Sequence, residues 1–175
     1  SMEKKIVMIS LLGAVMIAAL IAGIIALKKN DLTVLNRDNT WYVEYDAGTE
    51  KDLLVRGSEI KSIRDDINKV ILALNKTTSE AEASTAGGEG VPLEPPRIRL
   101  QSVAEGIAHV EIINAEYLTQ RMGTSGAQNY LAASTYSLTE TPGVRGVDFL
   151  FAAGDHAAPG VYTRESFKDY AVKAQ

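Results

Sequence analysis

The sequence predicts an α+β domain, two helices on a small and mainly antiparallel sheet, carried behind one transmembrane helix. Three observations predict it. Ile6 to Leu27 contains no charged residue. Several short segments beyond it alternate apolar and polar residues, as half-buried strands do. Two longer segments instead repeat their apolar residues at helical spacing, each giving a stripe that must be buried against a sheet face.

The apolar segment is long enough to span. As a helix, Ile6 to Leu27 measures roughly 33 Å at about 1.5 Å per residue, against a hydrocarbon core of about 30 Å. Lys4 and Lys5 flank one end and Lys28 and Lys29 the other, placed to reach the headgroups. A cleaved signal peptide has an apolar region of only about 7–15 residues and ends at a small-residue site. Here Ile24-Ile25-Ala26-Leu27 runs straight into lysine, so an uncleaved anchor is expected over residues 6–27. The lysines are balanced, and the positive-inside rule does not orient the helix. The default for so short an N-terminus (residues 1–5) keeps it in the cytoplasm and exports the rest. The expected location is the bacterial cytoplasmic membrane, with the domain on the outer, periplasmic side. Ser10, Ala14, Ala18, Ala22 and Ala26 form a row of small residues. Such a row permits close helix–helix contact, although alanine is also common in any membrane helix.

Composition excludes several classes. The net charge is -4, so the basic footprint of a nucleic-acid binder is absent. There is no cysteine, hence no disulfide, thiolate metal site, cysteine nucleophile or lipidated cysteine anchor.

Residues 28–39 read as a juxtamembrane linker and 40–164 as the domain. Trp41, Val43 and Tyr45 alternate with Tyr42 and Glu44, which predicts a strand. Asp46 to Thr49 is a turn, and Asp52 to Ile60 holds a second short extended piece. Ser62 with Asp65 resembles a capping box. It opens a helix whose inner stripe is Ile63, Ile67, Val70, Ile71 and Leu74, ending near Asn75. Residues 76–97 are small, polar and acidic with glycine and proline, and are expected to form a flexible insertion. Ile98 to Val103, a tight turn at Glu105-Gly106, and Ile107 to Ile113 predict a β-hairpin. A second helix opens around Gly123 to Gly126, with Ser125 and Gln128 as its capping pair and Ala127, Leu131, Ser134 and Leu138 inside, supported by Tyr130. Pro142-Gly143 stops it. Val144 to Ala152 is a strand with Val147, Phe149 and Phe151 on one face. A turn over Gly154, Pro159 and Gly160 follows. Thr163 caps a last short helix through Val172, within a C-terminal tail at 165–175.

The hairpin Leu100-Gln-Ser-Val-Ala-Glu-Gly106-Ile-Ala-His-Val110-Glu-Ile112 carries a family pattern. So does the segment Tyr136-Ser-Leu138-Thr139-Glu140-Thr-Pro142-Gly143-Val144-Arg-Gly-Val147-Asp-Phe149-Leu150. Together they resemble the GerMN domain of sporulation and spore-germination proteins, over roughly Trp41 to Arg164, with the second half the more specific. The resemblance implies a ring-building-motif type fold of two helices on a three-stranded sheet, and assembly between or across membranes. It implies no catalytic residues. The insertion at 76–97 is longer than the family pattern.

The candidate chemistry is thin. Asp148, Asp155 and His156 offer a carboxylate–histidine group. His109 is the other histidine, and it falls on a strand's outer face beside Glu111, so the group reads as a polar turn. Ser134, Ser137 and Ser166 lack a nucleophile elbow. Gly87-Gly88-Glu-Gly90 lacks the lysine of a phosphate loop, and Asp65-Asp66 sits on a solvated helix face. No catalytic residue, metal, cofactor or small-molecule substrate is expected. Tyr162 and Arg164 sit together in a Gly/Pro-rich arm, and tyrosine and arginine are enriched at interface hot spots. With Phe167 and Tyr170 this arm either contacts a neighbouring subunit or partner, or covers a sheet edge of its own domain. The expected function is a membrane-anchored, non-catalytic assembly protein of the cell envelope, as a homo-oligomer or with partner envelope proteins. The alternative is an envelope module that binds cell-wall polymer or peptide, which calls for an exposed groove lined with aromatics.

Overall fold

The structure is a computed structural model. It describes residues 37–85 and 94–173, with side chains over 37–79 and 94–173. The expected transmembrane helix at 6–27, its row Ser10, Ala14, Ala18, Ala22 and Ala26, and the stretch Gly87 to Gly90 lie outside the described residues. No helix among the described residues is long and apolar enough to cross a membrane.

Strand β1 (Trp41–Asp46) follows the alternation in the sequence, with Trp41 buried and Val43 packed on the core. It pairs antiparallel with β2 (Lys51–Arg56), from Trp41 opposite Arg56 to Asp46 opposite Lys51. Asp46 closes the turn, accepting from the Gly48 amide at 2.9 Å and the Thr49 hydroxyl at 2.8 Å. The hydrogen bond from Thr49 is the main reason its carboxyl lies below the usual range.

The segment entering β1 is clamped onto the segment leaving β2. The Gly57 amide donates to the Thr40 carbonyl at 2.9 Å and the Glu59 amide to the Asp38 carbonyl at 2.8 Å. A Cβ at Gly57 would fall within 3.0 Å of the carbonyl oxygens of Arg37, Asp38 and Thr40. All three are backbone atoms and cannot rotate away. Gly57→Ala is therefore expected to destabilise the domain by about 3 kcal/mol, in the range of strained or overpacked sites, measured as a lowered urea midpoint.

A single turn, α1 (Ile60–Ile63), precedes the long helix α2 (Ile67–Thr85). The expected capping box is not formed: the Ser62 hydroxyl donates to the Glu59 carbonyl instead. Asp66 caps α2, accepting from the Asn68 amide at 3.0 Å, the usual N-cap geometry. The inner stripe is as expected, with Val70, Ile71 and Leu74 buried. The end is not. α2 continues past Asn75 to Thr85, into the stretch expected to be a flexible insertion. Thr78 and Ser79 turn their hydroxyls back to the carbonyls of Leu74 and Asn75, so these polar residues are accommodated in the helix.

The hairpin holds as expected. β3 (Arg97–Ala104) and β4 (Ile107–Ile113) are antiparallel, with a bulge between Leu100 and Ser102. Glu105 and Gly106 both take positive φ, 53° and 78°, as a two-residue primed turn requires. A π-helical turn, Tyr117–Arg121, leads into α3 (Gly123–Leu138). The residue before α3 is Met122, and no side chain caps it, so the expected Ser125–Gln128 pairing is absent. Its expected inner face is borne out: Ala127, Tyr130, Leu131, Ser134 and Leu138 are all buried.

β5 (Gly146–Leu150) returns parallel to β4 with Val147 and Phe149 fully buried. The turn expected around Gly160 contains a strand, β6 (Gly160–Tyr162), antiparallel to β5. Thr163 does cap a helix, through a reciprocal pair with Ser166, but it is one 3₁₀ turn, Arg164–Phe167. The chain then forms β7 (Ala171–Lys173), parallel to β2, where a helix was expected.

The α+β class stands, but the single mainly antiparallel sheet is replaced by two mixed sheets. One has the order β1-β2-β7 and the other β3-β4-β5-β6. One continuous core joins them, including Trp41 and Leu54 from the first, Val110 and Phe149 from the second, and Val70 and Leu131 from the helices. The C-terminal arm makes this arrangement, because it adds an edge strand to each sheet in turn.

Candidate functional site

The most organised polar feature is built around Glu140, just past the end of α3, whose side chain is only 8% exposed. Its Oε1 accepts from Trp41 Nε1 at 2.9 Å, Arg56 Nε at 3.0 Å and Arg164 Nη2 at 3.2 Å. Its Oε2 accepts from Arg56 Nη2 at 2.6 Å. Burial pushes the carboxyl up, but the Arg56 and Trp41 hydrogen bonds, the Arg56 charge and Arg164 outweigh it and bring Glu140 down to about 2. Arg56 is held above its ordinary value mainly by the same hydrogen bond. The Arg164 guanidinium also lies over the rings of Tyr136 and Trp41, at 4.8 and 5.5 Å from their centroids. This cluster ties β1, β2, α3 and the C-terminal arm together. In the sequence Glu140 stands only within the family pattern, which did not disclose this role.

Of the four expected interface residues of the arm, Tyr162, Phe167 and Tyr170 are brought together, while Arg164 belongs to the Glu140 cluster. Tyr162 stacks on Phe167 at 5.8 Å, and Phe167 meets Tyr170 edge-on at 6.1 Å. Tyr162 also packs against Phe149. The Tyr170 hydroxyl donates to Asn129 Oδ1 on α3; burial, and then Asp52, push that hydroxyl up to about 12. Phe167 is buried, while Arg164 keeps part of its guanidinium in solvent.

His109 and Asp148 sit opposite each other on β4 and β5, with Nδ1 and Oδ2 2.9 Å apart in a hydrogen bond. His156 lies elsewhere, with Nδ1 3.2 Å from the Thr124 hydroxyl. The expected carboxylate–histidine group is thus divided between two places. Among the described residues no group of three or more His, Asp or Glu is arranged to hold a metal ion.

Two surfaces remain open. α2 and α3 contribute their buried stripes to the core that Val110, Ile112 and Phe149 line, which leaves the other face of the four-stranded sheet half-buried or exposed. His109–Asp148 lies at its centre, with Leu150 42% and Val161 57% exposed beside it. The second surface is a groove of about 210 Å³ between β1, α2 and α3, lined in part by Trp41, Tyr42, Leu74, Met122, Tyr130 and Ser134. Small-molecule sites usually measure about 300–1,000 Å³, so this groove suits one side chain or one sugar ring. The Tyr130 hydroxyl beneath it is buried without a hydrogen-bond partner among the described residues. Burial raises it, and the neighbouring Ser134 offsets this only in part.

Comparison with protein-family models, with curated proteins and with solved structures finds no match in any of the three.

Proposed function

We propose that this protein is a membrane-anchored, non-catalytic assembly protein of the bacterial cell envelope. Its helix at 6–27 holds it in the cytoplasmic membrane, and its domain makes protein contacts on the outer side. The GerMN-like residues support this reading from the sequence. The observation that carries it is the face of the four-stranded sheet that the helices leave open, where Leu150 and Val161 expose apolar area beside the hydrogen-bonded His109 and Asp148. Exposed apolar side chains grouped on one sheet face are the kind of surface that protein contacts use. Val161 belongs to the same arm as Tyr162, Arg164, Phe167 and Tyr170, so the arm's part in the contact is the outward side of β6.

The double variant Leu150→Glu with Val161→Glu tests this. Both side chains face solvent, so the fold should survive, with a melting temperature within a few degrees of the parent. The variant in membranes is expected to lose its co-purifying subunits or partners. Unchanged native size and partner recovery in a folded variant would remove the role of this face.

The aromatic groove favours a second reading, an envelope module for cell-wall polymer or peptide. Retention of the detergent-extracted chain on peptidoglycan, abolished by Tyr42→Ala, would select it over the first.

A further inference from the structure

A second feature of the four-stranded sheet goes beyond its open face. β3 is an edge strand: the order is β3-β4-β5-β6. On its outer side the Asn75 side chain of α2 behaves as a strand residue would. Asn75 Oδ1 accepts from the Ile98 amide at 2.7 Å, and Asn75 Nδ2 donates to the Ile98 carbonyl at 2.9 Å. In an antiparallel pair the outward-pointing backbone groups fall on alternate residues. With Ile98 pointing out, Leu100 points out too, and after the bulge so does Val103. Neither has a partner on that side among the described residues.

A trough runs along this edge. Over Leu100 it measures about 520 Å³ and is lined by Asn68 and Ile71 of α2, Arg97 to Leu100 of β3, and Ile113 of β4. On the other side of Arg97 a separate hollow lies beside Leu72, at 71% the most exposed large apolar side chain among the described residues. The Leu100 part has an apolar floor. Its only charged lining residues are Arg97, which is exposed, and Arg99, which is 61% exposed although paired with Glu111.

From this we infer that the β3 edge binds an extended segment of a partner polypeptide by strand addition, and that the segment's end at Leu100 places an apolar residue in the trough and, beyond the paired stretch, an acidic residue against Arg97 and Arg99. The amide pairing at Asn75 shows which chemistry the edge accepts, and it also sets the limit of the added strand. Pairing begins at Leu100 and runs toward Ala104, because Ile98 is already taken. Main-chain bonds supply the affinity in this mode, and side chains at alternate positions supply the selectivity. The inference rests on the reading of the domain as a protein-binding module.

The test uses the full chain in detergent and a synthetic peptide of about eight alternating valine and glutamate residues, the length of a common strand. Hydrogen exchange at the Leu100 and Val103 amides is the readout. The acidic peptide is expected to slow both by about tenfold or more, without changing exchange at β1. Arg97→Glu, at an exposed position, is expected to weaken binding about threefold to tenfold. Leu100→Pro, which removes one outward N–H from an edge strand, is expected to abolish the protection. A lysine–valine peptide binding equally well would overturn the inference. So would protection that appears with rising protein concentration and no peptide, which would make a second copy the occupant. Absence of protection with millimolar peptide overturns it too. Loss of this binding while the native complex keeps its size removes the β3 edge alone. A monomeric native protein without companions would instead remove the assembly reading.

Discussion

Replacing Glu140 with alanine is expected to cost the domain about 3–5 kcal/mol, the usual cost of breaking a buried ion pair from one side. Arg56, whose side chain is 11% exposed, would be left without its carboxylate. Trp41 would lose the acceptor for its indole N–H. Glu140→Gln is the gentler form, because it keeps one acceptor oxygen, although it loses the charge and turns the other oxygen, one of the acceptors of Arg56, into a donor NH2. The pH dependence follows from the direction of the shift. The carboxyl falls from 4.5 to about 2 in the folded chain. Its contribution is fully present above the unfolded value and is lost as pH falls through the folded one. At roughly 1.4 kcal/mol for each tenfold in proton affinity this is at most about 3.5 kcal/mol, less after solvent screening of the partly exposed Arg164. Urea titrations between pH 5 and pH 2, on the order of the two pKa values, should show the parent losing stability across that window. Glu140→Gln should be weaker at neutral pH and flatter in acid. A Glu140→Gln curve parallel to the parent would assign the acid sensitivity to other carboxylates.

Phe167→Ala has a comparable expected effect by a different route. Phe167 is buried between Tyr162 and Tyr170, and removing a buried phenylalanine ring costs about 3–5 kcal/mol. The loss should be local first. The ring anchors the passage from β6 to β7, two strands of three residues each. Their release uncovers the edges of β5 and β2, which are then open to unspecific pairing. Hydrogen exchange should show the β6 and β7 amides opening at lower free energy than those of β3 and β4. Limited proteolysis should cut within the arm. Uniform loss of protection over all strands would mean that the arm does not unfold separately.

The elements with long patterns were legible in the sequence. Alternation located β1, β3 and β4, and the Glu105-Gly106 turn set the hairpin register. The stripe Ala127, Leu131, Ser134, Leu138 set the inner face of α3. What could not be read depends on distant partners. β6 and β7 are three residues each, too short for a period, and they exist because β5 and β2 offer edges. The Glu140 cluster joins residues 84 and 99 positions apart. Its one local signal was a glutamate beside an apolar helix end, facing no lysine or arginine at helical spacing. The cap of α2 fell to Asp66 because the one-turn α1 intervened, and the helix outran its apolar stripe because Thr78 and Ser79 fold their hydroxyls back onto it. The site reading grouped Tyr162, Arg164, Phe167 and Tyr170; the three rings do meet, while Arg164 turns to Glu140, Tyr136 and Trp41. Its alternative, an arm that covers a sheet edge of its own domain, agrees with β6 and β7, which pair with β5 and β2.

The most direct test of the assembly reading is the native mass of the detergent-extracted full chain, measured beside the domain that begins at Arg37. The full chain should remain with membranes until detergent is added. It should then have a mass above that of one subunit, or a co-purifying partner, while the separate domain associates more weakly for want of its anchor. Monomers in both samples with no companion protein, or release of the full chain without detergent, would contradict it.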